Sequence, residues 1–250
     1  MAPSLILRRV IVGTACVIAP LAATAQATSG DGFLFGAPRA SITLRGGFAS
    51  PSASGDVFSF VQNELTLGRH DFAGGSMAAD LALHVRPRVA IQMGIGYSGR
   101  TTPSVYRGWV DNQDREIEQR TTFQRLPLTL GVRYYLASPG RALGQLAWVP
   151  SRFTPYIGAG GGITWSRFRQ TGDFVDYQTL DVFPATLESS AWAPTLYGVV
   201  GVEHTLNARL GLTGEARYDH GRARVSSDFS GFNGIDLSGL TLSVGLTMRF

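Results

Sequence analysis

Residues 240–250 read Leu-Thr-Leu-Ser-Val-Gly-Leu-Thr-Met-Arg-Phe, with every even position apolar and every odd position small, polar or charged. A helix advances about 100° per residue and would scatter these apolar side chains around its axis. An extended strand sends alternate side chains to opposite faces, so the segment predicts a strand with one apolar and one polar face. Its length adds a second constraint, because a strand tilted across a bilayer needs about 9–11 residues. Lipid on one face and a polar lumen on the other satisfy both, and a closed barrel is the strand architecture that leaves no unpaired edge in lipid.

The amino end fits export. Arg8 and Arg9 precede an apolar stretch, Val10 to Ala22, and Ala23-Thr-Ala25 offers a small-x-small cleavage site, as in a secretory signal peptide over residues 1–25. Residues 26–38 then form a short lead and 39–250 the barrel domain. The single cysteine, Cys16, lies in the apolar stretch and is expected to be lost with it, which removes disulfides, thiol nucleophiles and Cys-type zinc sites. Losing Arg8 and Arg9 takes the formal charge from +4 to +2, too small a balance to argue for nucleic acid. Every basic residue is arginine. Beyond the signal peptide no stretch approaches 18 consecutive apolar residues, so a membrane crossing has to be made by strands.

Period-2 alternation between turn-rich breaks marks eight strands, at about 39–48, 76–85, 89–98, 121–136, 154–168, 192–206, 209–219 and 239–250. An even number keeps both termini on one side. The fold class is therefore all-β, an antiparallel up-and-down transmembrane barrel with long extracellular loops at 49–75, 99–120, 169–191 and 220–238, and tight inner turns at Arg86-Pro-Arg88 and Asn207-Ala208. The inner connection 137–152 is long and is expected to hang free rather than cap the mouth. Residues 57–66 either extend the first hairpin, giving ten strands, or fold over the mouth.

Charge placement tests the phasing, since an arginine facing lipid at midplane costs about 2–4 kcal/mol. With the apolar residues of each strand outward, Arg45, Asp80, Arg125, Arg133, Glu203, Glu215, Arg217 and Arg249 all point into the lumen, as does His84. Arg167 and His204 share parity with outward residues but lie near strand ends, where side chains reach headgroups or water. Phe48, Tyr97, Trp165, Trp192 and Tyr218 fall near the outer strand ends and Tyr134 and Phe250 near the inner ends, as two interfacial girdles would require.

Two motifs carry a family resemblance. Ser243, Gly245, Met248 and Phe250 resemble the C-terminal assembly signal of bacterial outer-membrane proteins, polar-x-Gly-x-x-apolar-x-aromatic. Thr154-Pro-Tyr-Ile-Gly-Ala-Gly-Gly-Gly-Ile163 resembles the Pro-Tyr-x-Gly-x-Gly strand of the small outer-membrane β-barrel superfamily that contains OmpA-like, OmpX-like and OmpW-like barrels. The resemblance implies residence in the outer membrane among lipid and lipopolysaccharide, insertion by the barrel assembly machinery with periplasmic chaperones as escorts, and no peptidoglycan-binding domain after Phe250. Lumen-facing glycines at 158, 160 and 162 leave room for bulky neighbours.

An eight-stranded lumen is just wide enough to be filled by side chains. Five arginines against three acids are expected to form a buried charge network that plugs the barrel, giving a non-enzymatic envelope or surface component. The alternative is a narrow channel, or OmpW-like passage of small apolar molecules that leave sideways into lipid; the upper-lumen candidates for it are Tyr197, Val199 and Phe123. Asp219-His220 with serines 226 and 227 is the best hydrolase-like grouping and lacks a barrel-hydrolase motif. His70, His84 and His204 are too scattered to suggest a metal. No cofactor is expected, and no extracellular ligand is identified.

Overall fold

A computed structural model describes residues 32–250 apart from 112, 145, 177, 180 and 230. The expected signal peptide, 1–25, and the start of the expected lead lie outside the described residues.

Eight strands close into a ring: β1 (Ala40–Pro51), β2 (Gly74–Arg86), β3 (Val89–Val110), β4 (Glu116–Tyr135), β5 (Phe153–Val175), β6 (Val182–Thr205), β7 (Leu210–Ala223) and β8 (Gly239–Arg249). Each pairs antiparallel with its neighbour in the chain, and β8 closes on β1 from Gly239↔Pro51 to Arg249↔Ser41. The ring has eight strands and not ten.

Outward side chains form a belt of large apolar residues, including Leu44, Ile95, Leu130, Leu196, Val200, Leu242 and Val244, each half or more exposed. A water-soluble fold rarely leaves apolar patches beyond a few hundred Å² uncovered. Here the belt encircles the barrel, and lipid is the solvent that suits it. Arginine at its middle is accordingly costly. Val244→Arg in β8 and Leu130→Arg in β4, which lies outside the C-terminal signal, should each lose about 2–4 kcal/mol of folding stability, whereas Leu240→Arg at the outer end of β8 should lose about 1 kcal/mol or less. Urea titration of the barrels refolded into lipid vesicles measures this, and a flat response along β8 would disprove the depth assignment.

Two connections expected as long loops are strands. β3 and β4 run on together to a tip at residues 111–115, and β5 and β6 to one at residues 176–181. At 20–24 residues these four strands are about twice the length needed to cross a bilayer. The alternation continues past the membrane but its content inverts. Large apolar residues such as Phe123 and Ile117 now take inward positions, beside buried Gln119 and Thr121, and outward positions turn polar, because water lies outside and a core within. Ile117, in the acidic run 111–118, is 1% exposed.

Residues 57–66 fold over the outer mouth. A helix α1 (Asp56–Glu64) buries Val57, Phe58 and Val61, whose spacing puts them on one face. The long inner turn does not hang free: Gly140–Leu143 and Ala147–Pro150 form a hairpin that pairs Trp148 with Leu34 and Ala147 with Phe35. Trp148, Leu34 and Ala208 pack together at the inner rim.

Candidate functional site: a charged lumen beneath an aromatic cap

The eight charged residues expected in the lumen are all inside it and at most 9% exposed. Glu215 of β7 joins two arginines: it takes Arg45 in a close ion pair and lies 3.6 Å from Arg133. Tyr156 Oη donates to the same carboxylate at 2.8 Å. Arg45 also donates through Nε to Asp80 at 2.9 Å, and Gln92 donates to the other Asp80 oxygen at 2.8 Å. Nearer the inner rim Arg249 pairs with Glu203 and donates to Thr205 Oγ1 at 3.0 Å. Thr43 and Thr213 each hydrogen-bond Thr247, at 2.8 and 2.7 Å.

Aromatic faces take up some of the cationic charge. The Arg133 guanidinium lies 4.1 Å from the Tyr156 ring centre and that of Arg217 3.9 Å from Tyr197, within cation–π range. Gly160 makes room for the second of these, since a Cβ there would meet Tyr197 Cε1 at 2.7 Å. Arg217 pairs with Asp219 at 2.7 Å, a partner missed in the sequence although an i, i+2 spacing puts both on one face of β7. Arg125 differs from the rest. Among the described residues no carboxylate lies within 4.0 Å of it, and its hydrogen bond goes from Nη1 to the Leu237 carbonyl at 2.8 Å.

Above this layer sits an apolar cluster of which the sequence expectations include only Phe123 and, as one alternative, the segment 57–66 folded over the mouth. Phe58 of α1, fully buried, meets Phe72, Phe123 and Phe168 edge-on with ring centres 5.0, 5.3 and 5.6 Å away. Leu65, Ile117, Phe229 and Leu237 complete the cap. Tyr197 and Val199, proposed for the upper lumen, instead pack deeper with Tyr135 and Tyr156. Outside the cap a cavity of about 230 Å³ opens between α1 and the hairpins, walled by Phe60, Tyr106, Phe174, Phe183 and Phe232. Inside it a cavity of about 60 Å³ lies against Arg45, Arg125, Arg217, Asp80 and Asp219.

The inner cavity reaches the barrel wall. β3 and β4 pair up to Ile95↔Leu128 and resume at Ser98↔Arg125, with the positions of Gly96, Tyr97, Leu126 and Pro127 unpaired between them. Pro127 has no N–H to give to a ladder. Lining the same cavity are Gly96, Pro127 and the outward residues Met77, Ile95 and Tyr97.

Of the aromatics expected at the interfaces, Phe48, Tyr97, Tyr134, Trp192, Tyr218 and Phe250 are more than a third exposed on the outer surface, and Trp165 is half-buried opposite Trp192. The four positions of the C-terminal motif divide by parity: Ser243, opposite Glu215, and Gly245, opposite Arg45, face in, whereas Met248 and Phe250 are exposed outside. Arg167 pairs with Glu188 at 2.6 Å on the protruding β5–β6 hairpin, and this bond holds the Glu188 carboxyl below its ordinary range. His204 contacts the Arg152 carbonyl at 3.1 Å beyond the belt. At the β3–β4 tip Asp111 accepts the backbone N–H of Arg115 together with its side chain, which lowers its pKa.

The hydrolase-like grouping is not assembled. Asp219 lies on the inner face of β7, engaged by Arg217, while the adjacent His220 is exposed. Ser226 donates to the Glu188 carbonyl at 2.7 Å, and His220 instead meets Ser238 at 3.2 Å. Among the described residues no cluster of three or more His, Cys, Asp or Glu is arranged to hold a metal ion.

No family model and no curated protein sequence matches the chain. Among solved structures it is similar to the outer membrane protein OprG from Pseudomonas aeruginosa, with 16% identity over 87% of this chain and 99% of that one and a TM-score of 0.48. It is also similar to a major outer membrane protein from Thermus thermophilus, at 15% identity over 86% and 100% with a TM-score of 0.47, and to Neisserial surface protein A, at 13% identity over 84% and 97% with a TM-score of 0.43. A closed ring of eight antiparallel strands, an apolar belt and a charge-filled lumen make this chain a small β-barrel of the outer-membrane type.

Proposed function

We propose that this envelope protein is closed to ions by its lumen network and passes small apolar molecules from the outer cavity sideways into the membrane. The observation that carries the proposal is the interruption of the β3–β4 ladder at Pro127, in unchanged register, which borders the cavity beneath the aromatic cap. An apolar solute would enter between α1 and the protruding hairpins, displace the Phe58 contacts and leave at Gly96 and Pro127. It would skirt the upper edge of the charged layer and not cross it, because crossing would part ion pairs whose buried members cost several kcal/mol each when left uncompensated.

In this reading the eight lumen charges act as a plug, the interfacial aromatics hold the barrel at its depth, and the C-terminal motif is read by the assembly machinery after escort by periplasmic chaperones. The outer leaflet supplies lipopolysaccharide contacts to the protruding hairpins. The barrel works without catalysis.

The test compares ion conductance in planar bilayers with transfer of a small apolar dye into phosphatidylcholine vesicles. Wild-type barrels should be silent to ions and should speed dye transfer over protein-free vesicles. Pro127→Val, which restores an N–H to the ladder, should slow transfer several-fold with folding unimpaired. Equal transfer with and without wild-type protein would end the proposal.

A further inference from the structure

Resting on the sideways passage proposed above, we infer that the inner cavity selects single-chain acids, with Arg125 as the station for the carboxylate and the wall break as the exit for the tail. Three arginines and two aspartates line this cavity. Asp80 is held by Arg45 and Asp219 by Arg217, so both acids are neutralised by neighbours. Arg125 is the remaining cation. It is 6% exposed and bonded to a carbonyl, with Asp219 and Asp236 acting on it at longer range; Asp236 is itself engaged by Ser54 and Ser238.

A guanidinium so placed presents a planar donor fork that matches a carboxylate, and a charge-assisted pair is about twice as strong as a neutral hydrogen bond. A cavity of about 60 Å³ holds roughly four water molecules, enough for a headgroup of three heavy atoms but not for a chain. The chain has somewhere to go, because Met77, Ile95 and Tyr97 continue the lining onto the lipid face. Phe123, one inward position further along β4 and 5.8 Å from the Arg125 guanidinium, covers the site from above.

Equilibrium binding of radiolabelled decanoate and of its methyl ester to the barrel in phosphatidylcholine nanodiscs tests the inference. Wild type should hold decanoate at least tenfold more tightly than the ester. Arg125→Gln should remove that preference, with less than a twofold change for the ester, and Arg125→Lys should restore part of it. Retained heat-modifiable migration on gels verifies that each variant is folded, and the wild-type preference stands as a test on its own. Equal affinities for the two ligands in wild type, or decanoate binding indifferent to Arg125→Gln, would overturn the assignment while leaving the passage of apolar molecules standing. Binding of neither ligand above protein-free discs would remove both.

Discussion

Glu215→Ala is expected to destabilise the barrel by about 3–5 kcal/mol, the cost of leaving buried cations without their counter-ion. Glu215 is 6% exposed and, among the described residues, is the carboxylate within 4.0 Å of Arg133, while also sharing Arg45 with Asp80 and accepting from Tyr156. Its loss leaves Arg133, whose three guanidinium nitrogens have no hydrogen-bond partner among the described residues, held by the Tyr156 face and more distant charges. Against a typical net stability of about 5–15 kcal/mol that is a large fraction. The urea midpoint in vesicles should fall steeply, and Glu215→Ala combined with Arg133→Met should recover part of the loss, since removing both partners of a buried pair costs less than removing one. A midpoint within experimental error of wild type would show that water, not Glu215, compensates these arginines.

Phe58→Ala acts at the other end of the molecule. Truncating a buried phenylalanine typically costs about 3–5 kcal/mol, here against the three rings that surround it and the two neighbours it shares a helix face with. The loss should fall on the cap and not on the ring of strands, because α1 is joined to the barrel mainly by this apolar cluster. Opening of α1 should become about 100-fold more frequent or greater, read as faster proteolysis between residues 56 and 64 with an unchanged urea midpoint for the barrel. Dye transfer should rise in the same variant. A fall in the barrel midpoint equal to the loss at the cap would show that cap and ring unfold as one unit.

The ring was legible because lipid and lumen impose opposite demands on alternate residues. Parity alone put Arg45, Arg133, Glu215 and Arg249 inside, and the outward Leu242, Val244 and Leu246 told the same story from the other side. Above the membrane that signal reverses, so a search for apolar residues on the outward face stops where β3 and β5 leave the bilayer, and the rest of each strand reads as loop. The cap was hidden for another reason. Val57, Phe58 and Val61 lie in a nine-residue helix preceded by serine and glycine, too short for periodicity to distinguish helix from strand, and their burial comes from distant partners such as Phe123, Phe168 and Phe229. Pro127 was visible as a residue, but its effect depends on which strand it faces, and only the register places it opposite Gly96.

The small inner sheet has a mechanical consequence. It ties the segment leading into β1 to the hairpin between β4 and β5, four strands away around a ring of eight, and Trp148 adds a hold on Ala208 between β6 and β7. Such a strap lies across a diameter and resists flattening of the circle into an ellipse. With the inner rim braced against ovalisation by paired backbone, breathing of the wall is concentrated toward the outer rim, which the cap spans by side-chain packing and where the seam between β3 and β4 is already interrupted.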